Sequence, residues 1–489
     1  MGFDGVVLTI DLGTTRTKAA VWDGDQALAA VGRARLVTDH PAADRAEQDP
    51  AAWWTAVVEA CAAARAKAPA TFAAVGAVGF STARQTFVPV TATGEPLGPA
   101  LLWSDRRAGV EAAALASANG GPDQVRSATG AALEGGRVAA KVAWLAAHEP
   151  DRLVASRWLL GPRDLIVWRL TGEVTTDETV ASATGLYDSA GALVAGLAGQ
   201  AAGRVPEAVA PTTIVGGLRP GPAAQLGLRV AIPVVVGAGD RQCEVLGVGA
   251  SPTTAMVSWG TTANASIPVE SWPADVGGGI NVTRGARGGW LLEGGVSAAG
   301  SLIEWLAAIT GVGVEALGAR AEASPPGADG VVAVPWLGGA RAPWWRDGVG
   351  AAFVGLSGGH GVGEMARAAI ESVALDVARC LELMGSATGV APTSLALAGG
   401  GADLPVWVSA LTGLTGVGAV RRRSAQAASV GAFMITTLAL GGGEVEVDRV
   451  NPIETSAVAD PATVSLYRDL RPAADQVAAA ILGLSGPVV

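Results

Sequence analysis

A Gly-Thr-Thr turn between two apolar strands occurs twice in this chain, and it constrains the fold more than any other feature. The copies are residues 8–21, LTIDLGTTRTKAAV, and residues 255–267, AMVSWGTTANASI. In each, an apolar strand enters the turn and an alternating strand leaves it, which predicts a β-hairpin. Gly13, Thr14 and Thr15, and likewise Gly260, Thr261 and Thr262, turn backbone N–H groups and two hydroxyls outward, an arrangement suited to phosphate oxygens. Two such hairpins predict two similar half-molecules clasping one polyphosphate. They differ at one telling place, Asp11 in the first against Ser258 in the second. Only the first hairpin carries a carboxylate able to hold a metal ion. Taken alone, Asp11 reads slightly better as an ordinary turn residue. The duplicated turn favours Mg²⁺, which takes one or two carboxylates plus phosphate oxygens.

The rest of the chain is organised around these hairpins. With 489 residues, half of them apolar, it is long enough for two or three domains with large cores. Residues 5–35 read as a three-stranded meander, Pro50–Ala68 as a helix capped by Asp49, and 138–148 and 164–170 as helices. Ile232–Val236 is a β-branched run stopped by Gly237-Ala238-Gly239-Asp240, which predicts a strand buried on both faces. After residue 250 the alternation of strands and helices restarts, so the predicted domains are 1–250 and 251–489, both α/β. The ligand cleft is expected between them.

Charge and cysteine usage exclude several classes. A net charge of −10 argues against general nucleic-acid binding, which needs a basic surface. Arg421-Arg422-Arg423 is the one basic cluster, and it reads as a solvated turn. Cys61, Cys243 and Cys380 are odd in number and lack zinc-ligand spacing, which fits a reducing cytoplasm. No signal peptide is evident. The apolar stretch 427–440 is too short for a bilayer and reads as a buried core helix.

Asp240 ends the buried strand on a Gly-rich loop, where α/β proteins place ligands. It reads either as a general base toward a substrate hydroxyl or as a cap on the helix that follows. Lys18 reads as a phosphate cation or a solvated strand lysine. Gly400, Gly401 and Ala402 follow a strand and permit close approach of a flat ligand such as adenine, or form a plain loop. Arg84 and Gln85 end a strand with polar groups suited to polyol hydroxyls. Trp103 reads as a platform for a sugar's carbon skeleton or as core. Neither a Walker A sequence nor GxGxxG is present.

Together these residues resemble the FGGY family of carbohydrate kinases. The strongest piece is AAFVGL at 351–356, followed seven residues later by EMARAAIE at 364–371, which fits the family's C-terminal signature. Gly136, Lys141, Val142, Trp144, Leu145 and His148 fit the N-terminal signature, from which Val138 and Ala147 depart. The resemblance implies an α/β fold of two actin-like ATPase (ribonuclease H-like) domains with an interdomain cleft, and a homodimer. It implies ATP binding by Gly13, Thr14, Thr15, Lys18, Gly260, Thr261, Thr262, Gly400, Gly401 and Ala402. It further implies Mg²⁺ at Asp11, a catalytic base at Asp240, and closure of the domains over a sugar that excludes water.

Departures from the family bear on the substrate. Similar xylulokinases carry Met-His, and glycerol kinases Arg-Glu, where this chain has Arg84-Gln85. Residues 176–188 look more like xylulokinases and gluconate kinases. Arg241 follows Asp240 where Asn or Gln is common. Arg84 and Arg241 together can take a sugar carboxylate bidentately, which makes an aldonate one expectation. Alternatively Arg241 pairs with an acid of the chain and the substrate is a neutral, xylulose-like sugar or a polyol such as glycerol. A non-catalytic sugar or nucleotide sensor on the same scaffold is the reading from another class. The presence of both Asp11 and Asp240 argues against it.

Overall fold

The computed structural model describes residues 5–273, 278–346 and 348–484. The chain forms two compact α/β units that interleave in sequence. One comprises residues up to Gly247 together with Thr283–Trp290 and Gln426–Asn451. The other comprises Val248–Val282, Leu291–Ala425 and the segment from Pro452 onward. The helix Ala427–Ala439, buried along most of its length as its composition predicts, packs with the first unit.

The first unit is built on a mixed sheet. Its strands run in the order Ile214–Gly217, Pro233–Val235, Val75–Thr82, Val6–Leu12, Arg16–Trp22 and Leu28–Arg35, and Ala238–Gly239 pairs with the end of Val75–Thr82. The meander predicted for residues 5–35 is present as the last three of these strands. The helix Pro50–Lys67 starts at a proline, whose missing N–H costs nothing there. Asp49 caps it by accepting from the Ala51 amide at 2.9 Å. Its Trp53, Val57, Ala60, Cys61 and Ala64 are buried in one core with Leu8, Ile10 and Phe80. Burial of each large apolar side chain there contributes about 1.5–3 kcal/mol.

In the second unit, Thr254–Trp259 pairs antiparallel with Ala263–Val269 and parallel with Ser394–Ala398, which is followed in the sheet by Ala419–Arg422 and Ile453–Ala457. This corrects the reading of Arg421–Arg423 as a solvated turn. Arg421 lies in a strand and pairs with Asp403 at 2.9 Å and Glu454 at 2.6 Å, while the buried Arg422 donates to the Val248 carbonyl at 2.6 Å. Cys61, Cys243 and Cys380 are all buried free thiols. No single helix among the described residues is long and apolar enough to cross a membrane.

Candidate functional site

Four strands converge at one end of the first sheet and set the candidate site. Asp11 lies opposite Lys18 on one neighbour and Ser81 on the other, and Ser81 in turn lies opposite Ala238. Asp11 is buried. Its Oδ1 accepts from Ser81 Oγ at 2.9 Å, and its Oδ2 lies 3.3 Å from Lys18 Nζ. Lys18 is thus paired with the carboxylate, not free on a solvated strand. Two of the roughly four lone-pair sites of an ionised carboxylate are in use, so Asp11 fits the part of a single carboxylate ligand to Mg²⁺. Among the described residues no group of three or more His, Cys, Asp or Glu could hold a metal.

Gly13 and Thr14 are half-buried and Thr15 is exposed. Thr14 Oγ1 accepts from Trp103 Nε1 at 2.8 Å, and the Thr14 carbonyl accepts from Gln48 Nε2 at 2.6 Å. Trp103 therefore braces the first turn through its indole N–H while remaining half-buried.

Asp240 opens the helix Asp240–Gly247. The loop before it needs its glycines. Gly237 has φ +71°, and a Cβ on it would meet the Phe80 carbonyl at 1.9 Å; a Cβ on Gly239 would meet the Arg84 stem at 2.5 Å. Arg84 consequently lies across Gly239, with Nε 3.6 Å from Asp240 Oδ1. The Asp240 carboxyl keeps 42 % of its side-chain surface exposed. Desolvation by the protein packed around it nevertheless pushes its pKa above the usual carboxylate value, Arg84 and Arg241 counter that rise, and Asp11 adds to it. Its Oδ1 also accepts from the amide of the next residue, Arg241, at 2.8 Å, and the carboxyl stays partly open. The Arg241 guanidinium is engaged by Glu244 at 2.7 Å. Gln85 has a left-handed backbone, φ 58°, a strained conformation of the kind that clusters at functional sites.

Sequence reasoning missed the buried network beneath Asp240. Asp177 accepts from the Thr179 amide at 2.8 Å and also binds the Thr179 hydroxyl; that hydroxyl accepts from the Gly239 amide at 2.9 Å. Arg163 joins Asp177 at 2.8 Å, Asp164 at 2.8 Å and the Val236 carbonyl at 3.0 Å. The available signal was the polar run 176–179, TDET, between apolar segments.

In the second unit, Gly260 and Thr261 are exposed and Thr262 is half-buried. The helix Gly300–Thr310 starts against this turn: the Ala299 amide donates to the Thr261 carbonyl at 3.0 Å and the Gly300 amide to the Gly260 carbonyl at 2.9 Å. Gly400–Asp403 forms a single 3₁₀ turn after Ser394–Ala398. A Cβ on Gly401 would meet Trp259 Cγ at 2.2 Å, so Trp259 locks the Gly400–Ala402 segment to the second hairpin. Each unit thus presents the hairpin that its sequence predicts.

The two mixed α/β units, each with one such hairpin, define the two-domain architecture of actin-like ATPases. The sequence matches the N-terminal domain of the FGGY family of carbohydrate kinases over residues 6–247 and the C-terminal domain over residues 253–440. It is 32% identical to a glycerol kinase from Methylibium petroleiphilum over 461 residues, covering 89% of this chain and 91% of that protein. It is 30% identical to a xylulose kinase from Streptomyces rubiginosus over 435 residues, covering 87% and 86%. The structure of a xylulose kinase from Lactobacillus acidophilus superposes with a TM-score of 0.90 at 21% identity, over 98% of each chain. The chain belongs to the FGGY family of carbohydrate kinases, which are ATP-dependent phosphotransferases.

Proposed function

We propose that this kinase transfers the γ-phosphoryl group of ATP to a hydroxyl of a small neutral sugar or polyol, xylulose-like in the first instance, with Asp240 as general base. The observation that carries this reading is the Asp240 carboxyl: partly open, at the end of the sheet, and raised toward a pKa useful for accepting a hydroxyl proton. Arg84, Gln85 and Trp103 would bind and orient the acceptor. Gly13, Thr14, Thr15 and Lys18 on the first unit, and Gly260, Thr261, Thr262 and Gly400–Ala402 on the second, would take the nucleotide. Asp11 would hold Mg²⁺ together with the phosphates. When bound, that ion supplies neutralisation of charge on the transferring group.

A neutral acceptor is favoured over an aldonate because both guanidiniums expected to clamp a carboxylate already face one. Arg84 lies 3.6 Å from Asp240, and Arg241 lies 2.7 Å from Glu244. The free, buried thiols fit a reducing cytoplasm. A homodimer is the assembly this reading carries, tested by light scattering against the 48.5 kDa chain mass.

The test is ADP release with Mg²⁺–ATP across D-xylulose, D- and L-ribulose, L-fuculose, glycerol, erythritol and gluconate. Turnover is expected on a neutral member. Turnover on gluconate alone overturns the neutral reading and restores the acidic one.

A further inference from the structure

The strands Arg16–Trp22 and Leu28–Arg35 pair antiparallel in a register that sets like charges against each other. Arg16 lies opposite Arg35, and Lys18 opposite Arg33. Opposed residues of such a pair share a face of the sheet, as do residues two apart, so all four cations stand on one face. It is the face of Asp11, which lies opposite Lys18 and accepts from its Nζ at 3.3 Å. The other face, through Thr17, Ala19, Gly32 and Ala34, is buried. The helix Pro50–Lys67 closes it, and a Cβ on Gly32 would meet the Ala60 carbonyl at 1.9 Å.

Two observations separate this patch from an ordinary solvated edge. Like charges directly opposite each other destabilise a strand pair, yet two such pairs stand side by side in a chain of net charge −10. Arg16, Arg33 and Arg35 are exposed, and their side chains have no ion-pair or hydrogen-bond partner among the described residues. The second observation is where the charge begins. Farther from the turn the same face is apolar, where Val7, Ala20 and Trp22 pack with Val430 and Phe433 of the helix Ala427–Ala439. It becomes cationic only beside the Gly13–Thr15 turn. The Leu36 amide donates to the Thr15 carbonyl at 2.9 Å, which holds Arg35 at that turn. The four Cα positions span about 5 Å across the strands and about 7 Å along them. Asp11 partly neutralises Lys18, so Arg16, Arg33 and Arg35 carry the uncompensated charge.

We propose that Arg16, Arg33 and Arg35 form a recruiting patch for the nucleotide: they draw the anionic phosphate chain of Mg²⁺–ATP onto the first unit and guide it to the Gly13–Thr15 turn. The inference rests on the nucleotide site proposed above and extends it to residues outside both Gly-Thr-Thr turns. Guanidiniums suit the task, since they stay charged at every working pH and meet phosphate oxygens with a planar fork of donors. Exposed charges raise the local concentration of an opposite charge, and salt weakens the effect. The arriving anion also relieves the repulsion between the opposed cations, so the strain of the empty patch favours binding.

The test is isothermal titration calorimetry with Mg²⁺–ATP and with adenosine, in about 20 mM and about 200 mM KCl, on the wild type and on the double variant Arg33→Gln/Arg35→Gln. The wild type should lose about ten-fold in Mg²⁺–ATP affinity over that range, and the variant should bind about ten-fold more weakly at low salt and lose less than about three-fold on adding salt. Adenosine carries the base and ribose without phosphate, and should bind both proteins alike at either salt. The variant should melt at or above the wild-type Tm, because two repulsive contacts are removed. Equal Mg²⁺–ATP affinity of the two proteins at low salt overturns the inference, as does an unaltered salt dependence in the variant or an equal loss of adenosine binding. Should the double variant fail to fold, Arg33→Gln alone is judged by the same criteria, with a loss of about three-fold expected. Mg²⁺–ATP binding that is identical in wild type and variant sinks this inference alone and leaves the nucleotide site standing. A wild type that binds neither ligand overturns both.

Discussion

Gly431→Ala gives a direct test of how the packing beneath Asp240 sets its position. The helices Asp240–Gly247 and Ala427–Ala439 cross through two glycines. A Cβ on Gly247 would meet the Ala427 carbonyl at 1.9 Å, and a Cβ on Gly431 would meet the Cys243 carbonyl at 1.9 Å. Ordinary contact starts at 3.4 Å, so the helices must part by about 1.5 Å. The obstructing atom is backbone, and no side-chain rotation relieves it. Alanine gains about 1 kcal/mol of helix propensity over glycine, while overpacking costs about 1–3 kcal/mol, so a net loss of stability is expected. The larger effect is on chemistry. Asp240 is the first residue of the displaced helix, and a misplacement of about 1 Å in a reacting group costs about 10²-fold. We expect kcat for D-xylulose to fall about 100-fold by ADP release, with a modest drop in Tm. Gly109→Ala is the control, because a Cβ there meets nothing within 4 Å. A Gly431→Ala enzyme that keeps kcat within three-fold of wild type would refute the argument that this crossing positions Asp240.

Further outcomes follow from the same geometry. The raised Asp240 pKa predicts that kcat/KM falls as pH drops through the folded-state value, a limb measured by rates from pH 4 to 7. By linkage, the stability contributed by its protonated form is present below the ordinary value of 3.8 and lost as pH rises through the folded value, so Asp240→Asn should melt at or above the wild-type Tm at neutral pH. Asp177→Ala removes one carboxylate from the buried Arg163 and the cap on Glu178–Ser182. Breaking a buried pair costs about 3–5 kcal/mol; Asp164 remains beside Arg163, so urea unfolding should report about 3 kcal/mol. Gly401→Ala drives a Cβ into Trp259 and should raise the KM for ATP about ten-fold, or 1.4 kcal/mol, with the acceptor KM unchanged.

The sequence carried much of the local structure because the informative residues are local. A Gly-Thr-Thr turn with strands on both sides can fold in few ways, and both hairpins form where that pattern lies. Asp49, Pro50 and the apolar stripe that follows define a helix start by chemistry alone. Long-range pairing was not legible. Arg421–Arg423 reads as a charged surface run until Asp403 and Glu454, far apart in sequence, are brought beside Arg421. The helix Ala427–Ala439 reads as core, yet nothing in its composition says which unit's core it joins. The close approach at Gly431 and Gly247 decides that, and a glycine's neighbour is invisible in a one-dimensional pattern. Lys141 was visible only as part of a family signature, because its three acceptors are the backbone carbonyls of Gln85, Leu101 and Leu102, which leave no trace in residue identity. The same holds for Thr179, whose hydroxyl accepts from the Gly239 amide sixty residues away. Asp11 and Asp240 stood out as candidates because Asp11 lies near the end of an apolar strand, two residues before Gly13, and Asp240 directly follows Gly239.

The central claim is that the Asp240 carboxylate takes the proton of a sugar hydroxyl during phosphoryl transfer. Its most direct test is ³¹P NMR of the products from Mg²⁺–ATP and D-xylulose, in the wild type and in Asp240→Asn at matched folding. The account predicts a sugar phosphate ester formed by the wild type, and a loss of about 10²–10⁴-fold in its rate in the variant, with ATP binding retained. An Asp240→Asn enzyme that forms the ester at the wild-type rate would contradict it.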